Sequence, residues 1–281
     1  MSLSQWLVSR FHQSRTSEVV KRVPGIRLVA QKWWTHTQEG EFRSAMSRLQ
    51  PPKVGASHVM PLGRVDVPSV GEIKKRDPKT VELGEAFSRK MEQWCQTSKF
   101  QSLGYQDVYA RILSDLDGMS PRVLEVGIGV NDPSVPSGMG KGHEPGASLV
   151  GWNSYFQAAE VHGADIDRRV LIDTEFYKTH HVDQRSETSL RQLASQLEVP
   201  IELIVDDGLH TPEANAKTVV ALLPLLAPSG VYVVEDIIPE FNYLWEELGS
   251  WIEPHYSVSF FSGEILRSGR GEGMAVLTRL A

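Results

Sequence analysis

Val123-Leu124-Glu125-Val126-Gly127-Ile128-Gly129 is the stretch whose reading decides the fold. A short apolar run that stops in glycine has the pattern of a parallel strand, buried on both faces and closed by a tight turn. Glycine lets a ligand approach the backbone closely, because no Cβ stands in the way. In open α/β sheets ligands bind beyond the carboxyl ends of the strands, where the strand order reverses. The stretch is therefore expected to be the first and central strand, with Gly127 and Gly129 flooring a cofactor site. A Gly-x-Gly alone equally suits an ordinary strand-to-helix turn, so the surrounding chain has to decide.

Downstream, strand and helix patterns alternate. The Gly- and Pro-rich piece from Asn131 to Gly146 is long for such a loop, which points to ligand contact. Ser148 is placed to cap the next helix, whose buried stripe is Leu149, Trp152, Tyr155 and Phe156. Val161 to Asp165 reads as the second strand, and an acid at its end can hydrogen-bond both hydroxyls of a ribose. Thr179 to Asp183 reads as the third, with Asp183 and Gln184 suited to an adenine edge. Ile201 to Asp207 is the fourth, followed by a helix that starts at Thr211-Pro212-Glu213 and runs through Leu226. Pro228-Ser229-Gly230 reads as a turn, Val231 to Asp236 as the fifth strand, and Phe241 to Trp251 as a helix. Tyr256 to Phe261 and Met274 to Leu280 read as a closing hairpin. The expectation is an α/β fold: a doubly wound, Rossmann-like, seven-stranded sheet with a C-terminal antiparallel hairpin.

Upstream the pattern changes. Ser4 to Val29 reads as a basic amphipathic helix, suited to covering the main domain, docking on a partner or lying on a membrane surface. Gln31 to Leu49 is a second helix, and Glu82 to Cys95 a third. Pro51 to Pro78 holds five prolines and little periodicity, the composition of an arm or linker. The division expected is a helical and Pro-rich extension over residues 1–95 and a main domain over 96–281. With 281 residues and a net charge of −6, the chain is no general nucleic-acid binder. Its one cysteine, Cys95, excludes an internal disulfide and suits a reducing, cytoplasmic setting. No apolar run is long enough to cross a bilayer, and Arg10 interrupts the start too early for a signal peptide.

Adjacent strand ends should bring Asp206, Asp207, Glu235 and Asp236 to one edge, beside the glycine turn. Four carboxylates held together repel, and a hard divalent cation such as Mg²⁺ relieves this while keeping water-filled positions for substrate oxygens. His210, three residues past Asp207, can take a proton from a hydroxyl near neutral pH. Singly, each of these residues also suits a cap or a structural contact.

The segments Leu124–Gly129, Gly146–Leu149 with Trp152 and Tyr155-Phe156, Gly163–Asp167, Val182–Gln184, Asp206–His210 and Val234–Ile237 together resemble the class I S-adenosylmethionine-dependent methyltransferases. The likeness is to the metal-dependent branch that includes macrolide-sugar O-methyltransferases and the cephalosporin-hydroxylase-like group, and it covers about Thr97 to Ala281. The resemblance implies S-adenosylmethionine and Mg²⁺ as cofactors. It implies Asp207, Glu235 and Asp236 as metal ligands and His210 as base. Glu125, Gly127 and Gly129 would line the methionine and ribose part of the cofactor, Asp165 its ribose, and Asp183 with Gln184 its adenosine. Ser148 and Asp206 join this cofactor-binding set, and Lys99 and Tyr105 match a segment that closes over the site. Relatives often carry His where this chain has Leu103, and the 131–146 loop is longer than in many of them, so the acceptor pocket is where this chain departs.

The activity expected is O-methylation of a small molecule or sugar hydroxyl by a homo-oligomeric enzyme. A nicotinamide oxidoreductase shares the glycine turn and the acid after strand two, but no third glycine follows Gly129 at the expected spacing. A non-catalytic scaffold is the other rival, and the intact acidic cluster speaks against it.

Overall fold

A computed structural model describes residues 24–50, 78–92, 105–116, 119–132, 144–156, 158–198, 200–252, 255–261 and 272–280. Expectations that fall on Ser4 to Val23, on the 51–77 arm, on Lys99 and Leu103, and on the middle of the 131–146 loop lie outside them.

Among the described residues the strands β1 (Arg122–Val126), β2 (Glu160–Asp165), β3 (Lys178–His181), β4 (Ile201–Asp206), β5 (Leu226–Ile237), β6 (Tyr256–Phe261) and β7 (Gly273–Arg279) form one sheet. Its order is β3-β2-β1-β4-β5-β7-β6. The first five strands are parallel, and β7 joins β5 and β6 antiparallel, as the hairpin pattern predicts. The strand order reverses at β1, between β2 and β4, so the glycine turn sits at the switch point.

Side-chain parity divides the core. Leu124, Val126, Ile204, Tyr232 and Val234 face one layer, built from α1 (Pro24–Met46), α5 (Glu187–Gln196), α6 (Pro212–Leu222) and α7 (Asn242–Ile252). Val123, Leu203, Val205, Val231 and Val233 face the other, built from α2 (Pro78–Glu92), α3 (Tyr105–Ile112) and α4 (Ala147–Phe156). Strands covered on both sides need apolar residues at every position, which is why they read as continuous apolar runs rather than alternating ones. Both upstream helices contribute to these layers. Phe42, Ala45 and Met46 of α1 are buried in the first, and Phe87 and Met91 of α2 in the second.

Three local expectations change. Pro228-Ser229-Gly230 lies inside β5 rather than in a turn, because the chain enters the sheet early across an irregularity in the β4–β5 register. Gly230 is needed there, since a Cβ would come within 2.9 Å of the Ile201 carbonyl oxygen. Strand β3 ends at His181, which leaves Asp183 and Gln184 in the turn after it. Helix α6 stops at Leu222 and a single 3₁₀ turn, Leu223–Leu225, completes the link to β5. Its start is as expected, with Thr211 as N-cap and Pro212 in the first turn.

Candidate active site

The floor is the turn after β1. Gly127 and Gly129 have φ of 91° and 88°, a left-handed backbone that only glycine adopts freely. The Gly127 amide donates to the Ala164 carbonyl, and the Asp207 amide to the Val126 carbonyl, both at 2.8 Å, so the sheet ladder continues into the loops. Gly127 lies so close to the loop after β4 that a Cβ would stand 2.3 Å from the Asp207 carbonyl oxygen.

Above this floor Asp207, His210 and Asp236 converge, each half-buried, with one donor atom apiece inside a 4.8 Å cluster. His210 Nε2 is 4.0 Å from Asp207 Oδ1, and its Nδ1 is buried without a hydrogen-bond partner. Among non-glycine described residues, the two with positive φ are His210 (56°) and Asp236 (50°). A left-handed backbone at a residue with a side chain costs about 1–2 kcal/mol, and such strain collects at functional sites.

The other two acids expected at this edge face elsewhere, for a reason of parity. Successive strand residues point to opposite sides of a sheet. Asp206 pairs in register with Val234, so Asp206 faces the α6 side and Glu235, one residue on, faces the α3 side. Asp206 is fully buried and accepts from Gln184 Nε2 at 2.7 Å and Asn215 Nδ2 at 3.1 Å. Burial pushes its carboxyl up to about 6, against the pull of those two amides. Glu235 accepts from the Tyr109 hydroxyl and lies outside the three-residue group.

Gln184, expected at an adenine edge, is a buried strut. Its amide nitrogen bonds Asp206 and Thr218, and its oxygen accepts from the Leu209 amide at 2.8 Å. It thereby ties the β3 turn to the loop that carries Asp207 and His210. Gln184→Leu leaves Asp206 Oδ1 and the Leu209 amide each short of a partner. It is expected to cost about 2–3 kcal/mol. Urea denaturation checks this, and a loss under 0.5 kcal/mol (about a tenth of ordinary domain stability) would show that the strut is dispensable.

Glu125, at 1% exposure, accepts from Ser148 Oγ at 2.9 Å and Trp152 Nε1 at 2.7 Å. Ser148 therefore sits within the first turn of α4 and turns its hydroxyl to Glu125 instead of capping the helix. Asp165 accepts from the Ile128 amide at 3.1 Å and the Asp167 amide at 2.9 Å. Burial raises its pKa and these backbone amides, with those of Gly129 and Ile166, oppose the rise. Its carboxylate thus braces the glycine turn in this structure. Asp183 pairs with Arg185, at 3.0 Å, at the rim.

Tyr105 and Tyr109 reach the same edge from α3. The Tyr105 hydroxyl donates to Asp236 Oδ1 and accepts from the Asp236 amide at 3.1 Å. Burial, with Asp236 and Glu235 beside it, holds the Tyr105 hydroxyl protonated far above its ordinary range. Tyr105 was expected in the segment that closes over the site, and Tyr109 was not among the expected site residues. Their four-residue spacing on one helix face was the available signal for a shared polar role.

The two carboxylates, Asp207 and Asp236, suit a hard divalent ion and leave further positions for oxygen ligands, with the His210 imidazole beside them. The glycine turn suits a ligand laid close to the backbone.

Residues 139–237 match the family model described as a methyltransferase domain. The matched stretch includes β2 to β5. Two of the chain's sequence relatives carry the name O-methyltransferase. Mycinamicin VI 2''-O-methyltransferase of Micromonospora griseorubida is 29% identical over 146 residues, covering 52% of this chain and 34% of the relative. The 8-demethyl-8-alpha-L-rhamnosyl tetracenomycin-C 2'-O-methyltransferase of Streptomyces olivaceus is 31% identical over 134 residues, 47% of this chain and 33% of the relative. The chain thus spans about a third of the length of these curated relatives. Among solved structures, MycE methyltransferase from the mycinamycin biosynthetic pathway, in complex with Mg, SAH and mycinamycin VI, is 28% identical. That match has a TM-score of 0.45 and covers 64% of this chain and 42% of that one.

Proposed function

We propose that this protein is an S-adenosylmethionine-dependent, Mg²⁺-dependent O-methyltransferase acting on a hydroxyl of a sugar or other small molecule. The observation that carries the reading is the convergence of Asp207, His210 and Asp236 directly against the Gly127 turn. The names of the sequence relatives support the sugar-type acceptor.

When bound, S-adenosylmethionine supplies an electrophilic methyl group and the dication a charge that eases loss of a hydroxyl proton. Asp207 and Asp236 would hold the dication, with Glu235 behind them on Tyr109. His210 would accept the proton from the acceptor hydroxyl as its oxygen takes the methyl group. Glu125 fixes Ser148 and Trp152 along the cofactor wall, and Asp165 stiffens the glycine turn against which the donor lies. Lys99 and Tyr105 belong to the segment assigned to closure over the site, and Asp183 to the adenosine rim. The proteins's chief contribution is alignment of donor, oxygen and base.

The proposal extends to a cytoplasmic homo-oligomer in which residues 1–95 form an extension of the methyltransferase domain, with residues 4–29 available for a partner or membrane surface. Among the described residues no helix is long and apolar enough to cross a membrane.

The deciding experiment is calorimetric titration with S-adenosylmethionine and, separately, NAD. It is followed by transfer of labelled methyl to rhamnosylated or deoxysugar-bearing polyketides, with Mg²⁺ and with EDTA. Cofactor binding and EDTA-sensitive transfer are expected. Binding of NAD alone, or a transfer rate untouched by EDTA, sinks the reading.

A further inference from the structure

Helix α3 is held more firmly than a segment beside a solvent-facing cleft requires. Residues 105–110 are all buried. Gly84 of α2 admits Asp107 so closely that a Cβ there would stand 2.2 Å from Asp107 Oδ1. Phe87 of the same α2 stacks on the Tyr109 ring at 5.7 Å, and Trp152 of α4 packs against that ring at 5.4 Å. Trp152 in turn bonds Glu125 at 2.7 Å. The helix is therefore locked to α2 and α4, and its two hydroxyls meet two consecutive acids of one strand end.

The two contacts differ in kind. Tyr109 donates to the Glu235 carboxylate. Tyr105 makes two bonds to Asp236, one to the carboxylate and one from the amide at 3.1 Å. A single oxygen bonded to both ends of the same residue fixes its side chain relative to its backbone. That backbone has φ of 50°, which an aspartate adopts only when its surroundings impose it. Asp236 also faces Asp207 across the cluster, and two like charges at that range would drive a free side chain apart.

We propose that Tyr105 is a positioning residue for the cation site. It holds the Asp236 carboxylate in ligand-forming geometry beside Asp207 and His210, while Tyr109, one turn along α3, bonds the neighbouring Glu235. This rests on the reading that the three-residue cluster takes a divalent cation. Partners that orient a metal ligand typically change affinity by about ten- to a hundredfold when removed.

The test uses the full chain and Mn²⁺, an oxygen-seeking surrogate for Mg²⁺, with the free ion counted by electron paramagnetic resonance. Circular dichroism and a thermal melt on each variant verify folding first. Tyr105→Phe fills the same space without the hydroxyl. It is expected to weaken Mn²⁺ binding about ten- to a hundredfold, while Phe87→Leu, which loosens the packing of α3 and keeps every hydroxyl, changes it less than about twofold. Unchanged affinity in Tyr105→Phe, or equal losses in both variants, overturns the assignment, since a general effect of docking α3 would touch both alike. Should Tyr105→Phe fail to fold, Tyr105→Met, a flexible side chain that fills the space without a hydroxyl, takes its place beside Phe87→Leu. Mn²⁺ binding at least about tenfold weaker than in Phe87→Leu then supports the proposal, and equal binding overturns it. Wild-type protein that binds no Mn²⁺ removes the cation reading itself, and the positioning role with it, before any variant is compared.

Discussion

Asp207→Asn is expected to reduce methyl transfer by about a thousandfold, equivalent to about 4 kcal/mol of transition-state stabilisation. The side chain keeps its shape and loses its charge, so the loop has no steric reason to move. What disappears is one of the two carboxylates in the cluster. Three measurements separate this from simple damage. Mg²⁺ should raise the melting temperature of the wild type, by mass action on the folded state, and leave that of the variant unchanged. EDTA should bring the wild type down to the variant's rate and lower the variant no further. Without metal, the variant should be at least as stable as the wild type, because a repulsion between Asp207 and Asp236 has been removed. A variant that keeps a rate within threefold of wild type (under 1 kcal/mol) would mean that Asp207 carries no catalytic charge.

The second large effect is steric. Gly127→Ala would place a Cβ 2.3 Å from the Asp207 carbonyl oxygen and 2.6 Å from Gly208 Cα, on a backbone with φ of 91°. Both partners are main chain, so no side chain can rotate out of the way. The strand end and the loop must separate, at a cost of about 4 kcal/mol from overpacking and left-handed strain together. The same displacement moves Asp207 away from Asp236, so cation affinity should fall along with stability. Gly40→Ala is the matched control. It lies within α1, and a Cβ there has no neighbour within 4 Å. It should stabilise the protein by about 0.5–1 kcal/mol, the usual helix preference for alanine over glycine. Chemical denaturation of both variants checks the pair. Equal behaviour would show that the Gly127 turn can relax, and that the contact between the two loops is not obligatory.

The architecture was legible because each of its signals is local. The apolar run ending in Gly127, the acid ending β2 and the Thr211-Pro212 helix start each declare themselves within a few residues. Strand order then follows from connection rules. The composition of the acidic edge was legible for the same reason, but the direction of its side chains was not. Grouping Asp206 with Asp207, and Glu235 with Asp236, counted strand ends and ignored the pleat. The parity of Val234 and Glu235 sends them to opposite layers. Gln184 was misjudged because its partners, Asp206, Thr218 and Leu209, lie 22 to 34 positions away in the chain. A local reading sees only that it follows a strand. Tyr109 was hidden by its ring, which satisfies the apolar stripe of α3 and conceals the hydroxyl at its far end.

The left-handed residues His210 and Asp236 set a limit on how this protein can be improved. Glycine would sit at either position with less protest from the main chain. A laboratory screen that rewarded heat tolerance alone would therefore drift toward glycine at both, since many stabilising changes are open to a natural protein and the usual loss is in activity. The winners would be sturdier and inert, with the discomfort of two residues traded away together with the chemistry it upholds.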